Sequence, residues 1–175
     1  MHRLALIALV ICTATAAAAC GDDDSPTSPS NVPVVFSAIL SPANEVPPVS
    51  NAESSGTGAV QIAMNVTRDA AGAITGATAD FYFQASGFPG GTAVQGAHIH
   101  PGVAGVNGPV AIGTSLTAAA RLPLTNGMVE FRQTGVAVSA ANAAALIANP
   151  SAFYFNIHSP LNPGGFARGQ LTRIQ

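Results

Sequence analysis

Hydrophobic and polar residues alternate along much of the chain beyond residue 33. The stretch GAVQIAMNVT places its large apolar side chains on one face of an extended chain, those of Val60, Ile62, Met64 and Val66. A period of two predicts a strand with one buried face. After the turn-forming residues 68–72, the stretch ATADFYFQAS repeats the pattern with Phe81 and Phe83 inward. We therefore expect these two strands to form a hairpin.

Shorter segments with the same alternation recur between Gly and Pro residues. They are residues 34–40, 92–100, 109–116, 128–134, 152–158 and 167–174. About eight short strands at this spacing are typical of an antiparallel β-sandwich or a flattened barrel. The predicted fold class is therefore all-β, with the strands packed as a sandwich.

One segment breaks the alternation and predicts a helix. In SAANAAALIANP, Ser139 is a favourable N-cap, the interior is rich in alanine, and Pro150 is a stop signal. Leu146 and Ile147 supply apolar side chains for packing. We expect one short helix that caps an end of the sandwich.

The first residues have the features of an export signal. The charged residues His2 and Arg3 precede a run of mostly small and apolar residues from Leu4 to Ala19. This run is shorter than the roughly 20 residues that a membrane-spanning helix needs. Cys20 follows at once and leads into an acidic cluster at 22–24. The arrangement resembles a bacterial lipoprotein signal, in which cleavage occurs before a cysteine whose thiol then carries lipid.

This resemblance implies three segments: a signal peptide (1–19), a lipidated Cys20 with a flexible acidic and Ser/Pro-rich tether (20–32), and the β-sandwich domain (33–175). The lipid would hold the protein in the membrane of the bacterial cell envelope, at the periplasmic face or the cell surface. Lipoprotein signals usually have a larger aliphatic residue where Ala17 stands. Ordinary cleavage and free secretion is therefore the alternative.

Charge and cysteine content exclude one class of partner and one kind of cross-link. The chain contains no lysine, and beyond residue 33 its arginines and acidic residues balance. It therefore lacks the basic patch that nucleic-acid binding requires, and we expect no nucleic-acid partner. Cys20 would be the only cysteine left after cleavage, because Cys12 lies in the signal. No internal disulfide could then form.

Three histidines are the candidate chemistry of the domain. His98 and His100 are two residues apart, so in a strand they point to the same side while Ile99 points to the other. In AFYFNIH, Tyr154, Asn156 and His158 fall on the face opposite the apolar residues. If the two strands are neighbours, the three imidazoles would project together from an outer face. Neutral imidazoles suit copper or zinc. The alternative is that each histidine only hydrogen-bonds a loop.

Glu45 and Arg168 are supporting candidates. Glu45 could contribute an acid to the site and Arg168 could guide an anion, but a buried ion pair that braces two loops explains both residues equally well. We identify no catalytic residue, because no serine lies in a nucleophile elbow and no pair of carboxylates is evident.

Four motifs, in order, resemble the CHRD domain, a domain named from chordin that also occurs in bacterial secreted and lipid-anchored proteins. They are FSAILSPANEVPPV, AHIHPGVAGVNGPV, FYFNIHS and PGGFARGQL. The resemblance implies an immunoglobulin-like, Greek-key β-sandwich. Matching motif positions are Glu45, Pro47, Pro48, His98, His100, Asn107, Gly108, Pro109, His158, Gly165, Arg168 and Gly169. One position departs: Phe166 stands where the family usually has an acid, so that acid's role as a ligand or as the partner of Arg168 is lost.

Two functions follow from these observations. The preferred one is a membrane-anchored, non-enzymatic binding or structural module for an unknown envelope or extracellular partner. The alternative is a copper- or zinc-binding protein that uses His98, His100 and His158. It has a weak similarity to copper-zinc superoxide dismutase, but it lacks the disulfide and the additional zinc ligands of that enzyme. Separations of about 3 to 4 Å between imidazole nitrogens would favour the metal, since Zn–N bonds of about 2.0 Å require them.

Overall fold

The structure, a computed structural model, describes residues 32–175. The predicted signal peptide (1–19), the predicted lipidation site Cys20 and the tether as far as residue 31 lie outside the described residues. Within residues 32–175, no helix is both long enough and apolar enough to span a membrane.

The described residues form eleven strands and one α-helix, α1 (Ala140–Ala148). The strands are Val34–Leu40 (β1), Thr57–Arg68 (β2), Ile74–Ser86 (β3), Ala93–Val94 (β4), Gly96–Pro101 (β5), Ile112–Gly113 (β6), Leu122–Pro123 (β7), Met128–Val138 (β8), Phe153–His158 (β9), Ala167–Gln170 (β10) and Thr172–Arg173 (β11). A five-stranded sheet has the order β11-β1-β2-β3-β8, a four-stranded sheet has the order β10-β9-β5-β6, and β4 pairs with β7. All pairings are antiparallel. The predicted all-β sandwich with one short helix is confirmed.

The core lies between the two larger sheets, as the alternation predicts. Phe81 and Phe83 of β3 are buried, and their rings lie 6.1 and 5.8 Å from the ring of Phe155 in β9. Burying an aromatic side chain of this size stabilises a fold by about 1.5 to 3 kcal/mol. The β2–β3 hairpin has the expected partners, with Ile62 opposite Phe81. The apolar period of two thus fixes which face of each sheet points inward.

The predicted helix forms between β8 of one sheet and β9 of the other. The Ser139 side chain accepts a hydrogen bond from the backbone N–H of Asn142 at 3.2 Å, which satisfies one of the free donors at the helix start. Leu146 is fully buried, and α1 packs on β3. The helix therefore covers part of the apolar core, at the point where the chain passes from one sheet to the other.

Three predicted strands are divided or largely unpaired in the structure. Of residues 109–116, only Ile112–Gly113 pair, and Pro109 has no N–H to donate to a ladder. The predicted strand 167–174 divides at the buried Leu171, so β10 and β11 join different sheets. The predicted strand 92–100 likewise divides into β4 and β5, and the short strand β7 was not predicted. Alternation alone does not show where a chain leaves one sheet for another.

Candidate metal centre

Adjacent strands of the four-stranded sheet place the predicted site residues side by side. β9 lies between β10 and β5, and its Asn156 is opposite Arg168 on one side and His98 on the other. Tyr154 of the same strand is opposite His100. Because side chains alternate along a strand, these residues share the face that points away from the core. The structure thus makes β5 and β9 neighbours, as the metal hypothesis assumed.

This outer face is covered, which corrects the expectation that its side chains project freely. Tyr154 and Asn156 are only 2% and 1% exposed. Backbone carbonyls and side chains from residues 41–56, 101–110 and 159–165 hydrogen-bond to the side chains of this face. The three segments are rich in Pro, Gly and Asn, and they fold back over the sheet. Polar groups on this face are therefore removed from water and must find partners within the protein.

The three imidazoles converge next to these loops, and His98 is the one that remains clearly part-exposed. His98 Nδ1 lies 3.0 Å from His158 Nε2. One nitrogen from each of His98, His100 and His158 lies within 4.8 Å of the other two. The separation of 3.0 Å is at the lower end of the range expected for ligands of one ion, and the limit of 4.8 Å lies slightly above that range.

Two of the rings are held by backbone carbonyls. His100 Nδ1 lies 3.0 Å from the Gly108 oxygen, and His158 Nδ1 lies 2.9 Å from the Pro163 oxygen. A carbonyl oxygen only accepts, so each Nδ1 carries the hydrogen and each neutral ring has its lone pair on Nε2. Nε2 of His100 is buried without any hydrogen-bond partner. Metal-binding histidines are typically held through the second nitrogen in this way.

The surroundings keep the three rings neutral. Burial, together with the nearby His158 and His100, lowers the pKa of His98 to about 4. Burial is also the main cause that lowers the pKa of His100 and of His158, although their carbonyl partners counteract it. Only the neutral imidazole has a lone pair for a metal. The cluster is therefore in the protonation state that binds metal at neutral pH.

Asn156 extends the cluster. Its Oδ1 lies 2.9 Å from His158 Nε2, and its Nδ2 lies on the side of Gly164 and Glu45. Asn156 was predicted to share the histidine face, and the structure places it in direct contact with an imidazole nitrogen. The candidate site therefore contains one amide in addition to three imidazoles.

Glu45 and Arg168 form a buried ion pair next to the imidazoles. Arg168 Nε and Nη2 lie 3.0 and 2.9 Å from Glu45 Oε2, and the two side chains are only 3% and 4% exposed. Burial raises the pKa of Glu45, and Arg168 and Asn156 counteract part of that effect. Arg168 also donates to Asn107 Oδ1 and lies over the Tyr154 ring at 3.9 Å. The guanidinium thus forms the buried ion pair that was expected to brace two loops.

Comparison with known protein families identifies the domain. The family model named CHRD domain matches residues 36–171, which is most of the chain. The chain belongs to the CHRD family. No curated protein and no solved structure matches it. The family predicted from the motifs is thus confirmed.

The CHRD motifs meet at the outer face of the four-stranded sheet. Glu45, Asn107, His158 and Arg168 are far apart in the chain, yet they lie around the same few side chains in space. Phe166, the departure from the family pattern, is fully buried and packs edge-on against Phe88 at 4.8 Å. Glu45 provides the acid that Arg168 needs.

Sequence reasoning missed two features of the site. Tyr154 stacks on His100, with the rings nearly parallel and their centroids 4.9 Å apart, so it helps to hold that imidazole. The alternation predicts that Tyr154 shares the histidine face, but it does not predict this stacking. The buried Glu53 accepts hydrogen bonds from Ser159 and Asn162, which are 106 and 109 residues away. These bonds hold the segment that contains Pro163, and no local pattern could have indicated them.

Proposed function

We propose that this CHRD domain is a metal-binding module that holds one copper or zinc ion through His98, His100 and His158. The observation that carries the proposal is that the ligand nitrogens converge within 4.8 Å while backbone carbonyls hold two of the rings by their opposite nitrogens. Histidines with a purely structural role have no need for a buried, unpartnered Nε2 such as that of His100. An ion would satisfy that atom.

The donor set favours particular metals. Three imidazoles without any sulfur suit Zn²⁺ and Cu²⁺, whereas oxygen-rich sites suit Mg²⁺ and Ca²⁺. Tetrahedral Zn–N bonds of about 2.0 Å place two ligand nitrogens about 3.3 Å apart. The observed 3.0 Å between His98 and His158 is near that distance. This pair of nitrogens is therefore spaced almost as a tetrahedral zinc ion requires.

The test uses protein purified without a histidine tag. After chelator treatment, the protein is titrated with Cu²⁺ and Zn²⁺ by calorimetry, and bound metal is measured by elemental analysis. We expect about one ion per chain, and loss of that ion in each of His98→Ala, His100→Ala and His158→Ala. Gln61→Ala is the matched control, because this exposed residue lies on the five-stranded sheet. No binding by the unaltered protein, or binding that survives all three changes, would overturn the proposal.

We propose further that the module works outside the cytoplasm, on a lipid carried by Cys20. The support comes from the sequence: an apolar run that ends in alanines, a cysteine directly after it, and an acidic Ser/Pro-rich tether. The lipid would anchor the module in the bacterial envelope, and ordinary cleavage would instead secrete it. Cys20→Ala should abolish acylation, as measured by mass spectrometry of the N-terminal peptide and by detergent partitioning. An unmodified N-terminus in the native protein would contradict the anchor.

Partner binding without metal is the second candidate function. The loop after β5 exposes three valines, Val103, Val106 and Val110, at 54%, 49% and 55%. Apolar side chains grouped on one loop favour contact with another envelope or extracellular component. This candidate predicts that the protein as isolated contains no stoichiometric metal and has no catalytic turnover. Elemental analysis of the same preparation therefore separates the two functions.

A further inference from the structure

Asn156 and His158 place two acceptor atoms next to each other, beside the Nδ1 atom of His98. His158 Nδ1 donates to the Pro163 carbonyl, so the Nε2 atom of the neutral ring offers a lone pair. Asn156 Oδ1, which also only accepts, lies 2.9 Å from that Nε2. Two acceptors at this distance repel each other in a buried site. A positive centre close to both atoms would turn the repulsion into attraction.

The Asn156 amide is held in this orientation from its other end. Nδ2 lies 3.5 Å from the Gly164 carbonyl oxygen and beside the Glu45 carboxyl, whose Oε1 is buried without a hydrogen-bond partner. Both neighbours are acceptors. Turning the amide over would place Oδ1 against a carboxylate, so the N–H end must face Glu45. The Asn156 oxygen is thereby directed to the imidazoles.

Gly165 makes this arrangement possible. A Cβ at this position would collide with both Glu45 Oε1 and Asn156 Nδ2. Its φ of 131° also lies in the region that favours glycine. The loop backbone therefore passes directly over the Glu45–Asn156 pair and keeps water away from it.

We propose that Asn156 Oδ1 is a fourth ligand of the metal, and that Glu45 is a positioning residue that keeps this oxygen turned to the ion. The inference rests on the proposed function, because it assumes an ion among the three histidines. It defines the site as three nitrogens and one oxygen. Because an amide oxygen is a harder donor than a thioether or thiolate, such a site would prefer Zn²⁺ or Cu²⁺ to Cu⁺.

The first test compares a variant that removes the Asn156 side-chain oxygen with one that keeps an oxygen there. Co²⁺ replaces zinc as a visible probe, and its d–d spectrum reports ligand number and type. Asn156→Leu should weaken Zn²⁺ binding by at least about 10-fold, the lower end of the loss seen even for outer partners of metal ligands. It should also change the Co²⁺ spectrum. Asn156→Asp keeps an oxygen donor and should retain a four-coordinate spectrum.

The second test turns the amide without removing it. In Glu45→Gln, the new carbonyl oxygen would face Arg168 and the new NH₂ would face Asn156 Nδ2, so the Asn156 amide would rotate and lose its ligand oxygen. We expect a Co²⁺ spectrum like that of Asn156→Leu. Gln61→Ala is the matched control, because this exposed side chain lies on the five-stranded sheet and its removal leaves Glu45 and Asn156 in place. Its spectrum should stay unaltered.

The outcomes separate the two proposals. If the unaltered protein binds no metal, the proposed function fails. If binding depends on the three histidines but the affinity and spectrum of Asn156→Leu match those of the unaltered protein, the fourth ligand is refuted and the histidine site stands. Thermal unfolding of each variant identifies any that fail to fold. If Asn156→Leu fails to fold, Asn156→Asp and Glu45→Gln still give the decisive spectra.

Discussion

The outer faces of the two sheets come from similar alternating sequences and differ in what covers them. On the five-stranded sheet, polar residues such as Gln61, Gln84 and Arg132 are exposed to solvent. On the four-stranded sheet, Asn156, Arg168 and their neighbours are almost completely buried under loops. Polar residues in water need no protein partners, whereas buried ones do. The network of polar side chains that hydrogen-bond to one another is therefore found on the covered face.

Two ion pairs among residues 32–175, one on each outer face, should show the largest difference in stability. Arg168→Ala would leave Glu45 buried without its partner, and we expect the free energy of unfolding to fall by about 3 to 5 kcal/mol. Arg132 and Glu130 form a pair at 3.6 Å on the open face, with side chains 70% and 56% exposed. Arg132→Ala should cost no more than about 1 kcal/mol. Urea denaturation of both variants measures the contrast, and similar losses would refute it.

The next largest effect is expected from substitutions on the two faces of β5, one of which should change stability and the other metal affinity. Ile99 is fully buried in the core, so Ile99→Ala should destabilise the fold by about 2 to 5 kcal/mol through lost burial and a residual cavity. Metal affinity per folded molecule should change little. His98→Ala, one residue earlier, should do the reverse. Calorimetric titration and denaturation of both variants give the comparison, and metal loss in a folded Ile99→Ala would contradict it.

The metal-free protein should lose stability as pH falls from about 6.5 towards about 4. Unfolded histidines take up protons near their usual pKa of 6.5, whereas folded His98 does so only near 4. The unfolded state then binds more protons, and the free energy of unfolding falls. The raised pKa of Glu45 acts in the opposite sense. Denaturation between pH 7 and pH 4 should show a shallower decline when all three histidines are replaced by Gln. Equal declines would contradict the claim that the imidazoles stay neutral in the folded protein.

The smallest expected effect is on the open face. Gln61 is exposed on β2, and Gln61→Ala should change the free energy of unfolding by less than about 0.5 kcal/mol. Metal content should also stay the same. A loss of more than 1 kcal/mol by denaturation would indicate that this face carries interactions that the comparison omits.

Much of the fold was predictable because a period of two is a local property. Val60, Ile62 and Met64 are buried as expected, and the helix begins after Ser139. The division of 167–174 between two sheets was not predictable, because it depends on how the chain packs around Leu171.

The residues of the site were largely predictable, but their environment was not. The shared face of His98, His100 and Asn156 follows from alternation, and the structure brings these side chains together. Their burial depends on loops that contact the sheet over long sequence separations, such as the 123 residues between Glu45 and Arg168. No pattern within one segment reports such contacts.

The central claim is that His98, His100 and His158 share one metal ion. The most direct measurement is a crystal structure of the protein grown with Zn²⁺ or Cu²⁺, with data collected at the absorption edge of the metal. We expect one strong anomalous peak at about 2.0 Å from a nitrogen of each of the three rings. A metal-free cluster at saturating metal, or a peak bound by other residues, would contradict it.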